Sequence, residues 1–121
     1  MNKHPERTQD YLEHILVALE RIQRYAAGKS GADFSADTLL QDGILRNVGV
    51  IGEAAHRLLT ESPDFVAKHP EIPLAKIYAT RNRLTHAYEE VDLDIVWNLV
   101  QFDVPDLKQK IAAALNELRE G

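Results

Sequence analysis

The segment Ala79-Thr80-Arg81-Asn82-Arg83-Leu84-Thr85-His86-Ala87-Tyr88 packs two guanidiniums, an amide, an imidazole and a phenol into one short stretch. These groups suit phosphodiester cleavage without a metal. An imidazole titrates near neutral pH, so it can take a proton from a ribose 2′-hydroxyl or give one to a leaving oxygen. A guanidinium stays charged, and its planar fork fits phosphate oxygens as negative charge builds in the transition state. Arg81 and His86 are therefore the candidate catalytic pair, with Asn82 and Arg83 as supporting polar neighbours. Asn82 stands one helical turn before His86 and shares its face. Arg81 and His86 lie about 140° apart around an ideal helix. They converge only if the helix unwinds near His86, or if two protomers bring them into one cleft. A structural role suits the same side chains: the arginines paired with surface carboxylates, His86 hydrogen-bonded at a helix end, Tyr88 a core aromatic.

The elements that must position this segment are helical. Leu12, Ile15, Leu16, Leu19, Ile22 and Ala26 recur at three- and four-residue steps. That stripe predicts a first helix from Pro5 to Ala27, with Gly28 capping its end. Lys29 to Asp37 reads as a polar connection, and Ser35 or Asp37 can cap the next helix. This second long helix carries Leu40, Ile44, Val48, Ile51, Ala55, Leu58 and Leu59 on one side. It also holds Gly43, Gly49 and Gly52, each costing up to about 1 kcal/mol against alanine, which points to another backbone approaching closely. Ser62-Pro63 opens a short helical piece to Lys68, and His69-Pro70 stops it. Pro73 suits the first turn of a third long helix, Leu74 to Tyr88, and Asp92 caps a fourth. Pro105 falls inside that fourth helix and is expected to kink or break it, after which Leu107, Ile111, Ala114, Leu115 and Leu118 continue the stripe. No strand-like alternation occurs. The expected fold is all-α: one domain over residues 1–121, an antiparallel four-helix bundle with a short extra helix and a proline kink in its last helix.

Composition narrows the function classes. The 121 residues include no cysteine, which excludes disulfides, thiolate metal sites and cysteine nucleophiles. No apolar run approaches the roughly 20 residues that cross a bilayer, and the first residues lead into an amphipathic helix rather than a signal-peptide core. A cytoplasmic protein with no membrane partner is expected. The formal net charge is −5, so attraction to a nucleic acid would have to come from a local basic patch, a dimer cleft or both. Glu53-Ala54-Ala55-His56 has the E-x-x-H spacing of di-iron bundle proteins, but those need a second copy. None of His4, His14, His69 or His86 has a carboxylate three residues earlier. No metal and no cofactor are expected. Glu53 is instead a neighbour for the basic motif, able to pair with Arg81 or Arg83. His14 reads as solvated and His69 as a turn residue.

The spacing Arg81-x4-His86-x-Tyr88 resembles the signature of the HepT-like branch of HEPN domains. Ile51-Gly52-Glu53-Ala54, Pro70-Glu71-Ile72-Pro73, Val91 to Trp97 and Val104-Pro105-Asp106-Leu107 follow the family's order, so the resemblance covers nearly the whole chain. Leu74 departs from it where relatives often carry tryptophan, a difference that touches packing. The resemblance implies a helical homodimer that acts as a toxic, metal-independent ribonuclease, with Arg81 and His86 at the dimer cleft and Asn82 beside them. It also implies a toxin–antitoxin pair, in which a minimal nucleotidyltransferase antitoxin adds AMP to the tyrosine at position 88. Phosphates added there would put negative charge where an RNA phosphate must dock. Two other readings stand beside it. One is a non-catalytic, nucleotide- or partner-binding helical adaptor of a nucleotidyltransferase; the other is a structural dimer whose motif stabilises the interface.

Overall fold

The structure, a computed structural model, describes residues 5–86 and 92–121; the side chains of Pro5, Glu6, Thr85 and His86 and all of Tyr88 lie outside what is described. Every regular element among the described residues is helical: α1 (Pro5–Ala26), α2 (Gly31–Ala36), α3 (Thr38–Glu61), α4 (Pro63–Lys68), α5 (Leu74–His86), α6 (Leu93–Asn98), a π-helical segment (Leu99–Asp103) and α7 (Val104–Glu120). The all-α expectation holds. None of the described helices is long and apolar enough to cross a membrane.

The stripes read from the sequence form the core. Leu12, Ile15, Leu19 and Ile22 of α1 meet Ile44, Ala55 and Leu58 of α3 and Ile111 and Leu115 of α7, all without exposed surface. Each leucine or isoleucine so buried contributes about 1.5–3 kcal/mol. The residues that meet across the helices give their directions. Thr8 and Ser62 share a hydrogen bond and Tyr11 donates to Glu61, while the Tyr25 ring lies against Gly43, so α1 and α3 run antiparallel. Arg119 reaches Glu13 and Lys108 reaches Gln23, so α7 also runs against α1. Arg81 meets Gly52 and Tyr78 meets His56, so α5 runs against α3.

Three local expectations need correction. The polar connection after α1 contains a helix. Ser30 accepts from the Asp33 amide while the Asp33 carboxylate accepts from the Ser30 amide, a reciprocal cap that starts α2. Phe34 in that helix is fully buried and stacks on Trp97 at 5.3 Å. Pro105 does not break the last helix. The chain passes from α6 into α7 through the π segment, where the Val104 amide donates to the Leu99 carbonyl, and Pro105 sits in the first turn of α7. A π turn widens the ladder, so the ring that would clash with a carbonyl one turn back is accommodated. The glycines of α3 do not serve close backbone contact in common: Gly43 faces Tyr25, Gly52 faces Arg81, and Gly49 faces open space.

Asp92 caps α6, as expected, by accepting from the amides of Asp94 and Ile95. The turn that launches α5 is anchored by His69, more than an ordinary turn residue: it is buried, with its Nδ1 2.8 Å from the Glu71 carboxylate and its ring against Phe65. The hydrogen bond with His69 holds the Glu71 carboxyl below its usual 4.5, and that from Lys68 does the same for Glu117. Groups with lowered folded pKa values stabilise the fold above their unfolded value and lose that contribution as pH falls through the folded one. The thermal midpoint should therefore drop once pH falls below about 4.5. Glu117→Gln should flatten part of that drop, and a midpoint independent of pH across this range would contradict the pairing.

Candidate active site

Gly52 and Arg81 set the geometry where α3 and α5 cross. A Cβ placed on Gly52 would stand 2.4 Å from the Arg81 Cβ and 2.5 Å from its Cγ. The missing side chain is the slot that receives the arginine stem. Seated there, the stem leaves Nε buried with no hydrogen-bond partner among the described residues. The head of the side chain is held from two sides. Nη1 donates to the Asn82 side-chain oxygen at 2.9 Å, and Nη2 donates to the Glu53 carboxylate at 2.9 Å. A guanidinium has five N–H donors, so each terminal nitrogen keeps one that no hydrogen bond among the described residues takes up. Arg81 is thus oriented before anything binds, and its side chain is 21% exposed.

Electrostatics around it are uneven. Glu53 lies 3.4 Å from Arg57, which reaches on to Glu61 at 3.4 Å. One carboxylate is therefore shared between two cations, Arg57 and Arg81, and the three together keep a net positive charge. Along α5, Lys76, Arg81 and Arg83 are unaccompanied by any aspartate or glutamate. Lys76 and Arg83 are exposed. A chain that is acidic as a whole thus carries one helix whose only charged side chains, among the described residues, are basic.

Of the residues singled out from the sequence, Arg81, Asn82 and Glu53 are brought together by direct hydrogen bonds. Arg83 is exposed and away from that cluster. His86 closes α5, and the backbone from Arg81 to His86 is helical throughout, so no unwinding turns the two onto one face. They stay about 140° apart on this helix. Tyr88 lies outside the described residues. Tyr78 escaped sequence reasoning, and His56 entered it only through its E-x-x-H spacing: the Tyr78 ring lies 5.6 Å from the Arg81 guanidinium carbon and stacks on His56 at 4.5 Å. The available signal was a pair of three-residue spacings, Glu53 to His56 and Tyr78 to Arg81, on two helices that pack together.

Comparison with known proteins places the chain among helical ribonucleases. The family described as "Ribonuclease HepT-like" matches residues 15–114. A protein of Thermococcus cleftensis named "Probable ribonuclease HepT" is 37% identical over 84% of this chain and 90% of its own length. One of Caldanaerobacter subterraneus named "Putative RNase" is 33% identical over 88% of this chain and 93% of its own. A longer protein of Methanocaldococcus jannaschii, named "Gamma-glutamylcyclotransferase and putative RNase", is 37% identical over 89% of this chain, which spans 47% of that relative's length. No solved structure matches.

Proposed function

From the premise that the chain belongs to the HepT-like ribonuclease family, we propose that it is a metal-independent endoribonuclease and the toxin of a toxin–antitoxin pair. The observation that supports this reading is the preset Arg81 guanidinium, held by Asn82 and Glu53 with one N–H on each terminal nitrogen left without a partner among the described residues. Arg81 binds the scissile phosphate and stabilises the added charge of the transition state. His86 takes the proton from the 2′-hydroxyl or returns one to the leaving 5′-oxygen. Glu53 and Asn82 are positioning residues, since they touch the arginine rather than the substrate, and Arg83 adds positive potential along the RNA path. The uninterrupted helix between Arg81 and His86 favours a homodimer in which each residue meets its partner across the cleft. A minimal nucleotidyltransferase antitoxin silences the enzyme by placing AMP on Tyr88, where the added phosphates repel RNA.

The test is purified protein incubated with RNA in excess chelator. The expected products end in 2′,3′-cyclic phosphate, the mark of internal attack by the 2′-hydroxyl. Intact RNA at high protein concentration, together with tight binding of a nucleotidyltransferase, would favour the adaptor reading instead.

A further inference from the structure

We propose that Tyr78 and His56 form a nucleobase subsite beside Arg81 that reads the base next to the cleaved phosphate; this rests on the ribonuclease reading and gives it a source of sequence preference. The two rings are stacked, with centroids 4.5 Å apart and planes 22° from parallel. Each residue is half-buried, so the packing of α3 on α5 holds the pair without sealing either residue from solvent. Among the described residues, neither the Tyr78 hydroxyl nor either ring nitrogen of His56 has a hydrogen-bond partner; the Thr60 hydroxyl donates to the His56 backbone carbonyl, not to its ring.

A phenol both donates and accepts, and a neutral imidazole offers one donor and one acceptor. Such a set can match the hydrogen-bonding edge of an unpaired base, and a rigid ring pair gives the base a surface to stack on. The position fits as well. The Arg81 guanidinium lies over the Tyr78 ring, 5.6 Å from its centre, so the cation and the ring pair adjoin closely enough to meet neighbouring parts of one nucleotide. Glu53, one turn before His56 on the same helix, holds the guanidinium from the other side. One crossing of two helices therefore carries a cation for the phosphate and two polar rings for the base.

The experiment maps cleavage sites in a randomised single-stranded RNA pool for wild type, Tyr78→Phe and His56→Phe. Tyr78→Phe removes only the hydroxyl, and His56→Phe keeps an aromatic ring, a larger one, without hydrogen-bonding atoms. Wild type should favour one base beside the cut by about tenfold or more over the least favoured. In each variant the ranking should flatten to within about twofold while cleavage continues. An unchanged ranking in both variants, or a wild type indifferent to the neighbouring base, overturns the subsite and leaves the ribonuclease reading standing. Absence of cleavage by wild type overturns the ribonuclease reading itself. The subsite is then judged by binding of the four nucleoside 5′-monophosphates, and equal affinities for wild type and Tyr78→Phe overturn it. Circular dichroism checks each variant's fold, and if one variant fails to fold the other decides.

Discussion

Arg81→Ala and His86→Ala are each expected to lower RNA cleavage by about a hundredfold or more while the chain stays helical. The arginine case separates chemistry from stability unusually well. Its partner Glu53 is half-exposed and keeps a second cation, Arg57, at 3.4 Å, so removing Arg81 strands no buried charge. An exposed ion pair contributes about 1 kcal/mol or less. The unpartnered Nε disappears with the side chain, which offsets part of that loss. Arg81→Lys should recover little of the activity, because a single ammonium cannot hold Glu53 and Asn82 in a fork and still face a phosphate with two donors. The measurement is the initial cleavage rate beside a thermal melt. A cleavage rate for Arg81→Ala equal to wild type, together with a weakened dimer, would make the motif an interface feature rather than a catalytic one.

Gly52→Ala should damage both fold and activity, although alanine is the better helix former. The added methyl would overlap the Arg81 Cβ and Cγ, at 2.4 and 2.5 Å, and these atoms are too close to the backbone to swing aside. Helix α5 must shift instead. Overpacking of this kind costs about 1–3 kcal/mol, more than the roughly 1 kcal/mol gained from helix propensity. A displacement of about 1 Å at the guanidinium is enough to lower the cleavage rate by about a hundredfold. Gly49→Ala provides the contrast three residues earlier, where nothing lies within 4 Å of the new carbon. It should raise stability by up to about 1 kcal/mol and leave cleavage unchanged. Equal behaviour of the two variants would refute the slot.

The long helices were legible because their apolar positions repeat every three or four residues and a core needs that repeat: Leu12, Ile15, Leu19 and Ile22 are all fully buried. The Asp92 cap was legible because capping is local. Helix α2 was not, since six residues show no period and the burial of Phe34 depends on Trp97, far along the chain. The π segment was missed for a related reason: proline announces a distortion, but whether the ladder breaks or widens is decided by tertiary packing. The pairing of Glu53 with Arg81 was accessible as charge complementarity, and the structure selects Arg81 over Arg83. The Tyr78–His56 stack needed the register of α3 against α5, which neither helix specifies alone.

Arg81 acquires its orientation from Glu53, 28 positions earlier in the chain. Helix α5 packs along α3, burying Leu74 and Leu84 and setting Ile77 against the same core. The two helices stand far apart in sequence, so their crossing exists only in the folded molecule. Separating α5 from α3 would take the guanidinium out of both its slot and its carboxylate. The orientation of the guanidinium is therefore a property of tertiary packing, and conditions that loosen the α3–α5 crossing are expected to lower RNA cleavage before helicity is lost.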